Sequence, residues 1–342
     1  VSTVGKNDLI VTLSLLDASL NDVVVVGYGS RKKTNYTGAV STVGTKEIVA
    51  APVADISNSL TGRLSGLIAV QRNGEPGRDG SNLLIRGVST TGDNTPLFVI
   101  DGIPRSGGDF SQLDPNEIET VTLLKDPASA AVFGVRAANG VILVTTKRGK
   151  AGKSSLSFSA RSDWQKPTRL PEYMDSYNYA TLLNEGSINS GTTAPFSQAD
   201  LDAYKNGTDR DAYPNTDWIK ATLKDYAPQQ QYNVSLNGGT EKTRYFISLG
   251  HVNQNGLYSN SSFKRYNFRS NIDVDATATT RISLDVSGRL ENRNAPSEDA
   301  NQLFYFALYA PPIFPAVFSN GLPGSFPSGR NPGERAKNGG YN

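Results

Sequence analysis

The chain has 342 residues, 37% of them hydrophobic, with 34 basic and 32 acidic side chains and a net charge of +2. That length allows two or three domains with a sizeable core, and the charge balance excludes nucleic acid as a partner. No run of about 18 apolar residues occurs, which excludes a helical membrane span and leaves a β-barrel open, because barrel strands alternate.

Cysteine is absent and His251 is the single histidine. Disulfides, thiolate metal sites and cysteine nucleophiles are excluded, and a histidine triad or zinc site has almost no material. No catalytic residue, cofactor or metal is therefore expected. Val1 opens without a basic or apolar leader, so the reading is a removed signal or a start within a longer protein.

In chain order, residues 9–15 alternate and read as one strand, which cannot fold alone and looks like the end of a preceding domain. Residues 21–37 combine four valines, Val23 to Val26, with a polar, glycine-containing remainder, and read as an extended tether. Residues 38–149 read as a mixed α/β unit. Its strands are expected at 39–43, 67–71, 82–87, 97–101, 118–124 and 140–146. Short helices are expected from Asp114-Pro115-Asn116-Glu117, from Asp126-Pro127 with Gly134 to stop it, and near 54–64, where Ile56, Leu60 and Leu64 share a face.

From Lys153 the pattern becomes long alternating strands, expected at 154–165, 230–237, 243–254, 264–275 and 280–291. Leu156, Phe158, Ala160 and Trp164 alternate with Ser157, Ser159, Arg161 and Asp163. Phe268 and Ile272 alternate with Arg269, Asn271 and Asp273. Strands of this kind suit a soluble sandwich or an outer-membrane barrel. Tight connections at 238–242 and 276–279, against long loops at 166–229 and 292–330, favour the barrel. If strand 154–165 rises from the periplasm, the long loops are extracellular. A barrel of about 22 strands needs many more than five, so the native protein is expected to run well past Asn342.

The segment from Asp22 to Gly29 has three readings: a nucleotide-binding corner, which lacks its glycine fingerprint; a plain linker; or a peptide that adds as a strand to a partner's sheet edge. With its neighbours it carries a resemblance. Asn21-Asp22-Val-Val-Val-Val-Gly27-Tyr28-Gly29 resembles the TonB-box region of the SusC/RagA class of TonB-dependent transporters from Bacteroidota. The likeness continues in order through Ser59–Leu67, Leu84–Val88, Pro96–Pro104, Glu117–Asp126 and Phe133–Lys147. It extends to Tyr213–Trp218 and Gly239–Phe246.

The resemblance implies an α+β plug domain (a mixed sheet with short helices) followed by the first antiparallel strands of a transmembrane β-barrel. The divisions expected are residues 1–20, the end of a carboxypeptidase-regulatory-like domain; 21–37, the TonB box (Asp22, Val23, Val24, Val25, Val26, Gly27, Tyr28) and linker; 38–149, the plug; and 150–342, the start of the barrel. It implies TonB-dependent import of a bulky nutrient, a glycan or an oligopeptide, across the outer membrane. The implied partners are TonB with ExbB and ExbD, a SusD-like surface lipoprotein and outer-membrane lipid. The competing reading is a soluble carbohydrate-binding or adhesive β module beside an α/β domain.

Within the plug, Arg63, Arg86 and Arg136 are expected to pair with Asp101, Glu117 or Glu119 and fix the sheet. Loops 72–81, 88–96 and 103–112 are the candidates for facing solute, with Asn94, Arg105 and Asp109 in them. Aromatics of the long loops, from Tyr173 to Trp218 and from Phe304 to Tyr309, are open between loop cores, a membrane girdle and a ligand platform. Residues 22–28 are expected to be mobile without a partner. His251 is expected to be an ordinary barrel residue. Asp273 and Asp275 are too few for a calcium site.

Overall fold

A computed structural model describes residues 23–26, 29–32, 40–51, 53–324 and 331–337. The expected strand at 9–15, together with Asp22, Gly27 and Tyr28, lies outside the described residues. Strands β1 (Val23–Val26) and β2 (Gly29–Lys32) pair antiparallel, Val23 opposite Lys32 and Val26 opposite Gly29. The valine run is thus extended, as its β-branched side chains favour, and it is paired within its own segment where a free tether was expected.

Next come β3 (Val40–Gly44), α1 (Thr45–Val49), α2 (Ile56–Ser59), β4 (Leu67–Gln71), β5 (Ser81–Ile85), β6 (Leu97–Ile100), β7 (Ile103–Arg105), α3 (Gly107–Ser111), β8 (Ile118–Leu124), α4 (Pro127–Ala130) and β9 (Val141–Thr146). A five-stranded mixed sheet runs in the order β3-β8-β9-β6-β7, with β6 and β9 parallel, and β4 pairs with β5 alone. Strands β6 and β9 are apolar on both faces because apolar clusters cover both: Ile56, Leu60, Phe110 and Leu123 on one side, Leu97, Val99, Leu143 and Ala137 on the other.

Three local expectations are corrected. The expected helix at Asp114–Glu117 is a single 3-10 turn, Pro115–Glu117, because β8 begins at Ile118 and leaves no room for more. The helix expected over 54–64 is only Ile56–Ser59, although Ile56, Leu60 and Leu64 are all buried as their spacing required. After α4 a 3-10 stretch covers Ala131–Ala137, and Gly134 sits inside it at φ 67°, breaking the helix in the middle where it was expected to close it.

The missed strand β7 is a hairpin partner of β6. Ile100 opposes Ile103 across Asp101 (φ 50°) and Gly102 (φ 84°), two left-handed residues in the two-residue loop that an Asp-Gly pair favours.

The second sheet is a meander of β10 (Gly152–Gln165), β11 (Ala227–Gly239), β12 (Thr243–Asn255), β13 (Ser262–Asp275) and β14 (Arg281–Asn294). All its pairs are antiparallel, and its strands are 13 or 14 residues long. The connections expected as plain loops fold further. Residues 166–226 carry α5 (Ser176–Asn189), α6 (Gln198–Asn206) and α7 (Trp218–Thr222), and α8 (Ala300–Tyr309) and α9 (Pro332–Lys337) follow β14. Asp175, Ser197, Asp217 and Asp299 cap them, each accepting a backbone N–H of the first turn. Among the described residues no helix is long and apolar enough to cross a membrane, which says nothing of a β-barrel.

Candidate functional site

In the long-strand sheet the usual relation of polarity to burial is reversed. Asn233, Ser248, Arg265, Asn267, Arg269, Asn271 and Asp273 are buried, while Leu156, Phe158, Leu249, Tyr266, Phe268, Ile282 and Leu284 are exposed. A side-chain period of two puts these sets on opposite faces. A soluble sandwich would bury the second set.

The exposed face also has a boundary. From Val274 to Tyr266 it is largely apolar, and it ends in a row where Tyr232, His251 and Tyr266 oppose one another across three strands. The His251 ring stacks on Tyr266 at 4.4 Å and on Tyr232 at 6.3 Å. Lys264 and Asn253 begin the next row. Eight steps of ~3.4 Å, on strands tilted by ~40°, give an apolar band roughly 20 Å tall, close to that of outer-membrane barrels.

The buried polar face lies against the mixed sheet and binds it atom by atom. Arg269 of β13 donates from Nε to Glu117 at 2.8 Å and holds Asp101 at 3.8 Å. Arg265 donates to the Ala54 carbonyl at 3.1 Å, and Asn267 to that of Gln112 at 3.1 Å. Asn233 donates to Asp114 at 3.1 Å, Gln254 to Asp79 at 3.0 Å, and Gln231 to the Val53 carbonyl at 3.0 Å. Gly250 of β12 makes the closest approach possible, since a Cβ there would lie 2.2 Å from Asp114 Oδ2.

Two carboxyls in this seam are strongly shifted. Burial pushes Glu117 up to about 7, the neighbouring Asp114 adds to the rise, and Arg269 opposes it. Burial likewise raises Asp55 to about 6 against its hydrogen bonds from Ser57, and Asp79 is raised chiefly by burial too. Side chains reach across by hydrogen bonding, so the seam is neither a greased joint nor a fused core. Among the described residues no group of His, Cys, Asp and Glu is placed to hold a metal.

Residues 32–141 match the TonB-dependent Receptor Plug Domain. Over 276 residues the chain is 36% identical to TonB-dependent receptor P26 of Formosa agariphila, covering 80% of this chain and 27% of that protein. It is 31% identical to TonB-dependent receptor SusC of Bacteroides thetaiotaomicron, covering 91% of this chain and 30% of that one. The RagAB peptide importer in its open-open state superposes with a TM-score of 0.67 at 27% identity, over 79% of this chain and 32% of that one. The chain belongs to the SusC/RagA-type TonB-dependent receptors. It spans roughly a third or less of the relatives it matches. The mixed sheet is therefore the plug, the long strands are barrel wall, and the protein resides in the outer membrane.

The plug carboxylates take partners other than those expected. Arg63, Arg86 and Arg136 are exposed, and none of them pairs with Asp101, Glu117 or Glu119. Glu117 and Asp101 face Arg269 of the wall, Asp101 also accepts the Thr146 N–H at 2.8 Å and its hydroxyl at 2.7 Å, and Glu119 lies 3.8 Å from Lys150. For Asp101 and Glu117 the buried Arg269 guanidinium takes the place expected of the exposed plug arginines.

Of the loop candidates, Asn94 is committed to its own loop, accepting from Ser89 and Thr90 N–H and donating to the Thr90 and Gly92 carbonyls. Asp109 caps α3 with Ser106 and meets Arg289 of the wall at 3.3 Å, and only Arg105 stands exposed in β7. The loop aromatics divide. Trp218 is buried against Ala307 and Ala310, and its indole donates to the Pro311 carbonyl at 2.8 Å. Tyr204 packs edge-on between Phe196 and Tyr213. Tyr226, Tyr305 and Tyr309 remain exposed. The aromatic row on the outer face comes from the strand residues Tyr232 and Tyr266. Sequence reasoning missed the wall donors of the seam, although Arg265, Arg269 and Asn271 stood on the polar phase of an alternating strand.

Proposed function

We propose that this chain supplies the plug and opening wall of a TonB-dependent importer that carries a bulky nutrient across the outer membrane, with the plug gating the lumen. The single observation that carries the reading is the reversed sheet: an apolar face turned outward and a polar face hydrogen-bonded to a folded domain. That arrangement suits a lipid-embedded wall around a closed pore and leaves a soluble binding module without a reason for its exposed apolar face.

The outer membrane holds no ATP, so the work must come from a partner that pulls. The segment proposed for this is Asp22, Val23, Val24, Val25, Val26, Gly27 and Tyr28, recognised by TonB with ExbB and ExbD through backbone pairing to a strand edge. A SusD-like lipoprotein over the extracellular face and a glycan or oligopeptide cargo complete the proposal. The similarity to a peptide importer supports the oligopeptide class. The long connections holding α5 to α9 are proposed to face outward, and the tight turns at 240–242 and 276–280 the periplasm.

Uptake of the nutrient by cells carrying the full-length transporter tests this. Val24→Pro removes a backbone donor and fixes φ, so uptake should be lost while surface abundance and ligand binding at the outer face persist; Val24→Ala should keep most uptake. Normal uptake by Val24→Pro at normal abundance would remove the coupling role from this segment.

A further inference from the structure

The crossover from plug to wall, residues 147–150, is bound to the wall in close succession. Asn237 of β11 grips its backbone at two points, accepting from the Lys150 N–H at 3.0 Å and donating to the Arg148 carbonyl at 3.0 Å. Asn271 of β13 donates to the Lys147 carbonyl at 2.8 Å and to the Thr146 hydroxyl at 3.0 Å. The Arg148 guanidinium spans two adjacent strands, meeting Asp273 at 3.1 Å and Asp285 at 2.7 Å. Between these grips Gly149 lies flat on β12: a Cβ there would be 2.1 Å from the Tyr245 nitrogen, so no other residue fits without moving backbone.

These contacts differ in kind from the rest of the seam. Elsewhere the wall side chains meet plug groups that lie far apart in the chain, such as Val53, Ala54, Asp79, Asp114 and Glu117. At the crossover, four strands hold four consecutive residues by backbone contact and by charge together. A pull from upstream of the plug has to break all of these at once, whereas the contacts of Asp114, Glu117 and Ala54 yield in sequence.

We propose that residues 147–150 are a fixed anchor, with Arg148, Asn237 and Asn271 as its positioning residues, and that the part of the plug that moves during transport ends at Thr146. The proposal rests on the plug-gating reading above. It defines a boundary: the seam at Asp114 and Gly250 must open, and the seam at Lys150 and Asn237 must stay shut.

These 342 residues carry no cysteine, and any in the rest of the full-length transporter is first replaced by serine. In the full-length transporter, Lys150→Cys with Asn237→Cys bridges the anchor, and Asp114→Cys with Gly250→Cys bridges the plug to the wall. Each pair is oxidised, or linked with a short bis-thiosulfonate, and uptake per surface copy is read before and after thiol reduction. The anchor-bridged form should transport as its reduced form does, and the plug-bridged form should lose uptake and regain it on reduction. Reversible loss of uptake in the anchor-bridged form overturns the anchor alone. Uptake by both bridged forms overturns the gating reading and the anchor with it.

Discussion

Arg269 and Glu117 face each other at 2.8 Å across the seam, one on wall strand β13 and the other at the foot of plug strand β8, both almost fully buried. Their separation in sequence is 152 residues. The pair couples the two sheets, because either charge left alone would be stranded away from water.

Arg269→Ala should therefore unseat the plug locally. Removing one partner of a buried ion pair costs about 3–5 kcal/mol, most of it the penalty of the unpaired charge. Hydrogen exchange at β8 and β9 should rise in the full-length transporter, and cells should become sensitive to large hydrophilic antibiotics. Glu117→Gln should do less, because Asp101 at 3.8 Å still faces the Arg269 guanidinium and the amide can still accept from it.

The same glutamate makes seating depend on pH. Its carboxyl is raised by burial from 4.5 to about 7 in the folded protein, so the folded state favours the neutral form. Its contribution is fully present below the unfolded value and is lost as pH rises through 7, with a ceiling of about 3 kcal/mol. Plug protection should fall between pH 5 and pH 8, and Glu117→Gln should flatten that slope. Hydrogen exchange corrected for intrinsic rates reads both.

Gly250→Val should push the plug from the wall. Its Cβ would fall 2.2 Å from Asp114 Oδ2, which is also tied to Asn233. Overpacking of this kind costs about 1–3 kcal/mol. The thermal transition of the plug should drop while the barrel's own transition stays in place.

On the outer face, Ile247→Arg places a charge in the middle of the apolar band, opposite Ser270, and Asn292→Arg places one in the row beyond Tyr266 and Leu290. The first should cost about 2–4 kcal/mol of barrel stability and lower the assembled fraction, and the second close to nothing. Equal effects would mean that this face does not meet lipid.

The plug strands were legible because β-branched runs such as Val141–Val144 and turns such as Asp101-Gly102 are local signals. Strand β7 escaped only because that Asp-Gly pair was not read as a hairpin loop. The helices of the long connections had legible caps, including the Ser197–Asp200 box, but their weakly amphipathic faces gave no period to follow. The partners of Glu117 and Asp101 were not legible at all. Which guanidinium meets a given carboxylate depends on how the wall registers against the plug, and Arg63, Arg86 and Arg136 offered equally good chemistry from nearer in the sequence.

Strands β10–β14 are proposed to cross the outer membrane with their long connections outside. In the full-length transporter, with any cysteine outside these 342 residues replaced by serine, Asn206→Cys in the connection after β10 and Thr240→Cys in the turn after β11 each give a single thiol. A membrane-impermeant maleimide applied to whole cells should label Asn206→Cys and spare Thr240→Cys until the outer membrane is permeabilised. Labelling of Thr240→Cys but not Asn206→Cys on intact cells would contradict the account.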